Sequence, residues 1–175
     1  MLIWFIHVWL FWASARLPGS PPFESREWYF LPTCAGLHLF SLTHFPNAKP
    51  PATLITRQAR PFSPVLCRYR TRPVFRLRSG DLDGDGREEL IAGVIRPDLG
   101  NQRRVYIFSL DERLIQPRWF GSRLSFRLDD FETIAIGNRT GLVTREHGRS
   151  HQYRMTYQWY HWGFRSIRLQ KEDLP

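Results

Sequence analysis

Val74-Phe-Arg-Leu-Arg-Ser-Gly80 is followed by Asp81-Leu-Asp-Gly-Asp-Gly-Arg-Glu-Glu89 and then by Leu90-Ile-Ala-Gly-Val-Ile95. The first segment alternates apolar and basic residues, and the third is a short apolar run; both patterns are typical of β-strands. The acidic, glycine-rich segment between them is typical of a loop. This stretch therefore predicts a strand–loop–strand unit and favours a β fold.

The acidic loop has the pattern of a calcium ligand set. Asp81, Asp83 and Asp85 occupy loop positions 1, 3 and 5, and a glycine at position 6 permits a sharp bend. The carbonyl of Arg87 would serve at position 7 and Glu89 at position 9. Calcium takes six to eight oxygen ligands at about 2.3–2.6 Å, which such a loop can supply if alternate side chains turn inward. The sequence therefore predicts Ca²⁺ as the cofactor.

The loop differs from an EF-hand in two respects. Position 12, where an EF-hand carries a bidentate acid, is Ala92, and the flanks read as strands rather than helices. An acidic hairpin turn without an ion is the alternative, because Asp-Gly is a common tight-turn dipeptide. Three alternating aspartates would repel one another without a cation, which favours the metal-binding interpretation.

The loop and its flanks resemble the FG-GAP/VCBS repeat family, whose units build integrin-type β-propellers. The matching segments are Phe75 to Gly80, Asp81 to Ile91 and Val105 to Phe108. The resemblance implies a calcium site on one rim of a propeller, held by Asp81, Asp83, Asp85, the Arg87 carbonyl and Glu89. It also implies an extracytoplasmic adhesion, ligand-binding or accessory domain, in which the repeat itself is not catalytic.

The chain from Val65 onward predicts an all-β, antiparallel β-meander. Short apolar segments recur there with polar turns between them, as in meanders and propellers. The expected strands are Cys67–Arg70, Val74–Leu77, Glu89–Ile95, Arg104–Leu110, Leu114–Phe120, Thr133–Gly137, Gly141–His147, Gln152–His161 and Phe164–Leu169.

An internal repeat supports this interpretation. Aligning Gly137 with Gly80 places two similar units 57 residues apart, a calcium-loop repeat at about 65–115 and a degenerate repeat at about 116–170. The second unit keeps only Asn138 of the polar loop residues, so we expect it not to bind calcium. Two blade-like repeats predict a partial β-propeller-like fold, because closed propellers have four to eight blades. A small sandwich and completion by homo-oligomerisation are the alternatives.

The N-terminal region differs in texture from the repeat domain. Residues 1–15 are apolar and end in Ala13-Ser-Ala15, which predicts a signal peptide and a periplasmic, cell-surface or secreted location. An uncleaved anchor, with membrane association through the N-terminus, is the rival, since no basic residue follows Met1 before the apolar run. Residues 16–64 are rich in proline and predict a poorly ordered segment, with a strand at Gly36–Leu42 and an extended linker from Pro46 to Pro64.

Charge and cysteine content limit the classes of partner. The chain has a net charge of +9, from 23 Arg and 2 Lys against 16 acids. The arginines are scattered, which argues against specific nucleic-acid binding and leaves lipid headgroups or anionic glycans open. Cys34 and Cys67 could pair in an exported protein, or both could be unpaired thiols.

Catalytic patterns are scarce in this chain. It contains no Gly-x-Ser-x-Gly elbow, no His-Glu-x-x-His and no phosphate loop. Asp129, Asp130 and Glu132 could form a carboxylate pair for glycoside hydrolysis, but acids in a turn between strands explain them equally well. The sequence therefore predicts no enzymatic activity, with a glycoside hydrolase as the alternative.

Two further clusters have simpler explanations than binding sites. His147, His151 and His161 with Glu146 do not match compact zinc spacing. The aromatic run from Tyr157 to Trp162 favours core packing over sugar stacking.

Taken together, these patterns predict an exported calcium-binding repeat protein that binds a protein or glycan ligand or serves as a scaffold. A secreted carbohydrate-active hydrolase or its accessory subunit is the alternative function.

Overall fold

A computed structural model describes residues 26–33, 36–60, 63–111, 113–121 and 124–172. These residues form twelve β-strands and one 3-10 turn, Pro97–Leu99. The strands are β1 (Arg26–Thr33), β2 (Gly36–Phe45), β3 (Ala52–Gln58), β4 (Val65–Thr71), β5 (Val74–Gly80), β6 (Glu89–Arg96), β7 (Gln102–Leu110), β8 (Ile115–Trp119), β9 (Arg127–Ile136), β10 (Arg139–His147), β11 (Gln152–Tyr160) and β12 (Gly163–Glu172). No helix in this described part has the length and hydropathy needed to cross a bilayer.

The strands pair in two antiparallel sheets, which confirms the all-β antiparallel prediction. The smaller sheet has the order β1-β2-β3-β4. The larger has the order β12-β11-β10-β9-β7-β6-β5, with β8 paired to β7. A single residue pair, Arg103 with Leu128, joins β7 to β9. The fold thus comprises three four-stranded meanders, β1–β4, β5–β8 and β9–β12, which we call the first, second and third meanders.

The first hydrophobic core is shared by the first and second meanders. It includes Phe40 and Ile55 from the first meander and Leu77, Leu90 and Phe108 from the second, all fully buried. Burying an aliphatic or aromatic side chain of this size contributes about 1.5–3 kcal/mol. This core therefore holds the two separate sheets together.

The second hydrophobic core is shared by the second and third meanders. Ile91 and Ile107 from the second meander join Phe131, Leu142 and Trp159 from the third. Because successive residues of a strand point to opposite faces, neighbours in β6 enter different cores. The second meander is consequently covered on both faces, which explains why β6 reads as a continuous apolar run.

The nine strands predicted from Val65 onward all occur; most ends differ by no more than three residues, and β9 starts at Arg127, well before the predicted Thr133. The strand expected at Gly36–Leu42 occurs within β2. The structure differs for the rest of residues 26–58, where poor order was expected and β1, the end of β2 and β3 form. Prolines from the predicted linker lie between β2 and β3 and between β3 and β4, whereas β3 itself contains none. The linker prediction is therefore wrong for Ala52–Gln58.

Two further expectations concern the N-terminal region. The predicted signal peptide or anchor, residues 1–15, lies outside the described residues. Cys34 also lies outside them, and Cys67 is a free, buried thiol.

Candidate metal centre

The acidic loop connects β5 to β6 and is organised by the side chain of Asp81. Its two carboxylate oxygens accept the backbone N–H groups of Gly84 at 2.6 Å and Gly86 at 2.9 Å. Both glycines have φ of 84°, a left-handed conformation that other residues adopt only with strain. Leu82, fully buried in the second core, fixes the loop to the sheet. Asp81 and the two glycines of the Asp-x-Asp-Gly-Asp-Gly sequence therefore stabilise the backbone conformation of the loop.

Three of the predicted ligands converge. Asp81, Asp83 and Glu89 each offer a carboxylate oxygen, and these oxygens lie within 4.8 Å of one another. Glu89 is the first residue of β6 and is 3% exposed. Its Oε2 atom accepts the backbone N–H of Leu82 at 2.9 Å. Among the described residues, no other cluster of three acids, histidines or cysteines has comparable geometry.

Arg118 places a guanidinium between two of these carboxylates. From β8, its Nη1 donates to Glu89 Oε1 at 2.5 Å and its Nη2 donates to Asp83 Oδ2. The guanidinium also lies 5.3 Å from the centre of the Trp159 ring, on the third meander. A protein cation therefore stands where the acidic loop concentrates negative charge.

The site perturbs the pKa values of its groups in opposite directions. Burial raises the pKa of Glu89 to about 7, against the N–H of Leu82 and the charge of Arg118, which lower it. For Asp83, burial opposes ionisation, but the hydrogen bond and charge of Arg118 lower the pKa below its usual value. A cation at this site thus favours ionised carboxylates, as metal binding requires.

Two predicted ligand residues lie outside the converged triad. Asp85 and Arg87 are exposed, and the Asp85 Oδ1 atom accepts the backbone N–H of Arg87 at 2.8 Å. The N–H of Asp85 in turn donates to Asp83 Oδ1 at 3.3 Å. Asp85 therefore belongs to the same hydrogen-bonded loop but is turned toward solvent.

Arg118 is the residue that the sequence did not reveal. It lies 29 positions beyond Glu89, and no local motif marks it. Its place follows from the sheet: Glu89 pairs with Ser109 across β6 and β7, and Ser109 pairs with Gln116 across β7 and β8. Arg118 is the extra residue of a β-bulge in β8, between Pro117, which pairs with Phe108, and Trp119, which pairs with Ile107. The bulge breaks strict alternation along β8, and the guanidinium is directed to the loop by its hydrogen bonds to Glu89 and Asp83.

The third meander also contacts the acidic loop. The backbone N–H of Thr140 donates to the carbonyl of Asp81 at 2.6 Å. A Cβ added at Gly84 would lie 2.9 Å from Nε of Arg139. The loop is therefore packed against the turn between β9 and β10.

The carboxylates proposed for glycoside hydrolysis lie inside strand β9, so their expected placement in a turn is wrong. Asp130 forms a bidentate ion pair with Arg76, with both N–O distances at 2.6 Å. Glu132 pairs with Arg76 at 2.7 Å and with Arg78 at 2.8 Å. These acids are neutralised by arginines of β5 and connect the second and third meanders.

Neither the histidine cluster with Glu146 nor the aromatic run from Tyr157 to Trp162 forms a single site. Glu146 is fully buried, and it accepts hydrogen bonds from the Thr144 hydroxyl and the Phe126 N–H, both at 2.6 Å. No metal-binding group among the described residues includes a histidine. Trp159 is buried in the second core, whereas Trp162 is 89% exposed. Core packing therefore explains only part of the aromatic run.

A comparison with known proteins found no matching family model, no matching curated protein and no matching solved structure. The resemblance to FG-GAP/VCBS repeats therefore remains a prediction from the residues themselves.

Proposed function

We propose that the protein is an exported, FG-GAP/VCBS-like β-repeat module in which Ca²⁺ has a structural role. The convergence of Asp81, Asp83 and Glu89 on one point is the observation that carries this proposal. Carboxylate oxygens are the ligands that calcium prefers. An ion there would neutralise the loop and fix the connection between β5 and β6. The free energy of calcium binding would then add to the free energy of unfolding.

The guanidinium of Arg118 supports the assignment because it acts as a stand-in cation. It contacts Asp83 and Glu89, two of the three converged acids. Asp85 and the Arg87 carbonyl are the further ligands that the family resemblance implies. Both belong to the exposed side of the loop, where calcium could also keep water ligands.

We further propose that the three meanders are blades of a partial propeller. Each has four antiparallel strands, and adjacent meanders pack through shared cores. The first strands of the meanders are neighbours, since β5 contacts both β1 and β9. This arrangement suits a scaffold that presents loops and sheet faces to a protein or glycan, or that associates with a second copy. The apolar start of the chain, residues 1–15, is what favours export.

The alternative of a carbohydrate-active hydrolase has weaker support. Such an enzyme needs two carboxyl groups free to act as acid and as base or nucleophile. Asp130 and Glu132 are instead paired with Arg76 and Arg78. Glycan binding does not require that pair and remains compatible with a scaffold role.

Calcium titration of the full chain by calorimetry, with melting curves in calcium and in chelator, tests the metal proposal. We expect one saturable site and a melting temperature that is higher in calcium. Asp83→Asn should reduce this difference, whereas the exposed control Asp98→Asn should retain it. A wild-type chain with no binding heat and identical melting in both conditions would refute a structural calcium site.

A further inference from the structure

We propose that the outer face of the third meander binds an acidic polysaccharide. Four exposed arginines define this surface, which we call the arginine face: Arg145, Arg154, Arg165 and Arg168. The opposite face of the same meander forms the second core with Phe131, Leu142 and Trp159. The arginine face shares no residue with the acidic loop, and the proposal does not depend on calcium binding.

The first two arginines lie directly opposite each other on β10 and β11, Arg145 with Arg154. Like charges at directly opposite positions of a sheet destabilise it. Arg145 lies 3.2 Å from Asp130, a carboxylate that is already in a bidentate pair with Arg76. Arg154 forms no ion pair within the described ranges. The sheet therefore carries excess positive charge that a bound anion would neutralise.

The other two arginines share this face because of a β-bulge. Arg165 and Arg168 are three positions apart, and strict alternation would place them on opposite faces of β12. The register of β12 against β11 shifts at Ile167, so that Arg168 lies opposite Thr156 and Arg165 lies opposite Gln158. Thr156 and Gln158 follow Arg154 at alternate positions of β11, which puts all of them on one face. An extra residue that re-aims a side chain in this way is a known use of bulges.

The geometry produces an array of positive charge across three strands. Neighbouring strands are about 4.8 Å apart and alternate residues along a strand about 6.7 Å apart. Thr156, Gln158 and Gln170 lie between the arginines and supply neutral hydrogen-bonding groups. The array ends at two exposed aromatic rings, since Tyr160 is 57% exposed and Trp162 is 89% exposed. The guanidinium of Arg165 lies 5.9 Å from the centre of the Tyr160 ring.

An acidic polysaccharide matches each part of this surface. Its sulfates or carboxylates suit guanidinium groups, which bind such anions with two parallel hydrogen bonds. Its hydroxyls suit the amides of Gln158 and Gln170 and the hydroxyl of Thr156, and a sugar ring can stack on Tyr160 or Trp162.

Two other anionic partners fit less well. Single-stranded nucleic acid is bound along a charged groove in which successive bases stack on aromatic rings. Here both aromatic residues, Tyr160 and Trp162, lie at one end of the arginine face rather than along it. An anionic bilayer favours a continuous apolar surface among the basic side chains. Ile167 and Leu169 are exposed on β12, but the residues opposite Arg165 and Arg168 are the polar Gln158 and Thr156.

Calorimetric titration of the full chain with a heparin oligosaccharide, in chelator and at low ionic strength, tests the proposal. The test variant removes three positive charges from the arginine face: Arg154→Gln, Arg165→Gln and Arg168→Gln. The matched control removes three exposed charges in the first meander: Arg60→Gln, Arg68→Gln and Arg70→Gln. We expect the test variant to bind about tenfold more weakly or worse, because three exposed ion pairs of modest strength are lost together. The control should stay within about twofold of the wild type.

A second variant leaves every arginine in place. Thr156→Glu with Gln158→Glu puts acids between the arginines, and we expect it to abolish binding while the melting temperature stays near that of the wild type. Equal weakening by the test and control variants would overturn the proposal, as would an absence of wild-type binding. Tighter binding to single-stranded DNA of equal charge, or to phosphatidylserine vesicles, through the same arginines would overturn the choice of polysaccharide.

Discussion

The second and third meanders begin with equivalent hairpins whose turns are built differently. In the second meander, eight residues from Asp81 to Glu88 separate β5 from β6. In the third meander, Ile136 pairs with Arg139, so only Gly137 and Asn138 form the turn. A two-residue turn is closed by the hydrogen bonds of its own hairpin. A longer loop must hold its backbone by other means, and here carboxylates accept the free N–H groups while the Arg118 guanidinium offsets part of their charge.

The largest expected effect is on the buried carboxylate of the long loop. Glu89→Ala would leave the Leu82 N–H and the Arg118 guanidinium without their shared acceptor. We expect a loss of about 3 kcal/mol in the free energy of unfolding, measured by urea titration. Asn138→Ala in the short turn should cost less than about 0.5 kcal/mol. Similar losses in both turns would contradict the distinction between them.

The next largest effect distinguishes the contribution of the Arg118 guanidinium to stability from that of a calcium ion. Arg118→Gln removes the guanidinium that contacts Asp83 and Glu89. In chelator we expect a loss of about 2 kcal/mol, reduced because Arg118 is partly exposed to solvent. Calcium should restore most of that stability, so the difference between melting curves in calcium and in chelator should exceed that of the wild type. A variant equally destabilised in both conditions would indicate that Arg118 alone balances the loop.

A smaller difference in stability is expected between alanine substitutions of one glycine in each turn. Gly84 and Gly137 both have positive φ, 84° and 63°. A side chain at Gly84 would also meet Arg139 at 2.9 Å, whereas a Cβ at Gly137 would meet open space. We expect Gly84→Ala to cost about 2 kcal/mol and Gly137→Ala about 1 kcal/mol, measured by thermal unfolding. The reverse order would mean that contact with the third meander does not constrain the long loop.

The smallest expected effect is on the short turn itself. Asn138→Asp restores one acid of the lost pattern, but a two-residue turn offers no further oxygen ligands from alternating positions. We expect no calcium binding heat from this residue when Asp83→Asn is also present, and a change in stability below about 0.5 kcal/mol. Recovery of binding would show that one acid, rather than loop length, is what the third meander lacks.

The sequence predicts local elements here much better than it predicts their partners. Strands β4 to β12 follow from short apolar runs and polar turns, because each signal lies within about ten residues. The pattern at Gly36–Leu42 predicts most of β2. Neighbouring prolines obscure β1 and β3, although β3 contains Thr53, Ile55 and Thr56 in its interior. Local composition therefore outweighed the strand pattern in that region.

The candidate site shows the same division. Asp81, Asp83 and Glu89 belong to one motif, so their convergence was predictable from spacing. Arg118 reaches them only through the registers of two strand pairs, which a single sequence does not specify. The bulge at Ile167, which aligns Arg165 with Arg168, likewise depends on a register that the sequence does not reveal. Non-local pairing is thus the information that local patterns lack.

The hydrogen bond from the Thr140 N–H to the Asp81 carbonyl joins the backbone of the third meander to the first residue of the acidic loop. Exchange of that amide proton with solvent requires the third meander and the acidic loop to separate. Protection of the amide from exchange therefore reports on the opening of either one. If an ion orders the loop, the exchange of the Thr140 amide should slow even though Thr140 offers the ion no ligand. Opening of one meander is therefore coupled to its neighbour, and the acidic loop sets how cooperatively the two unfold.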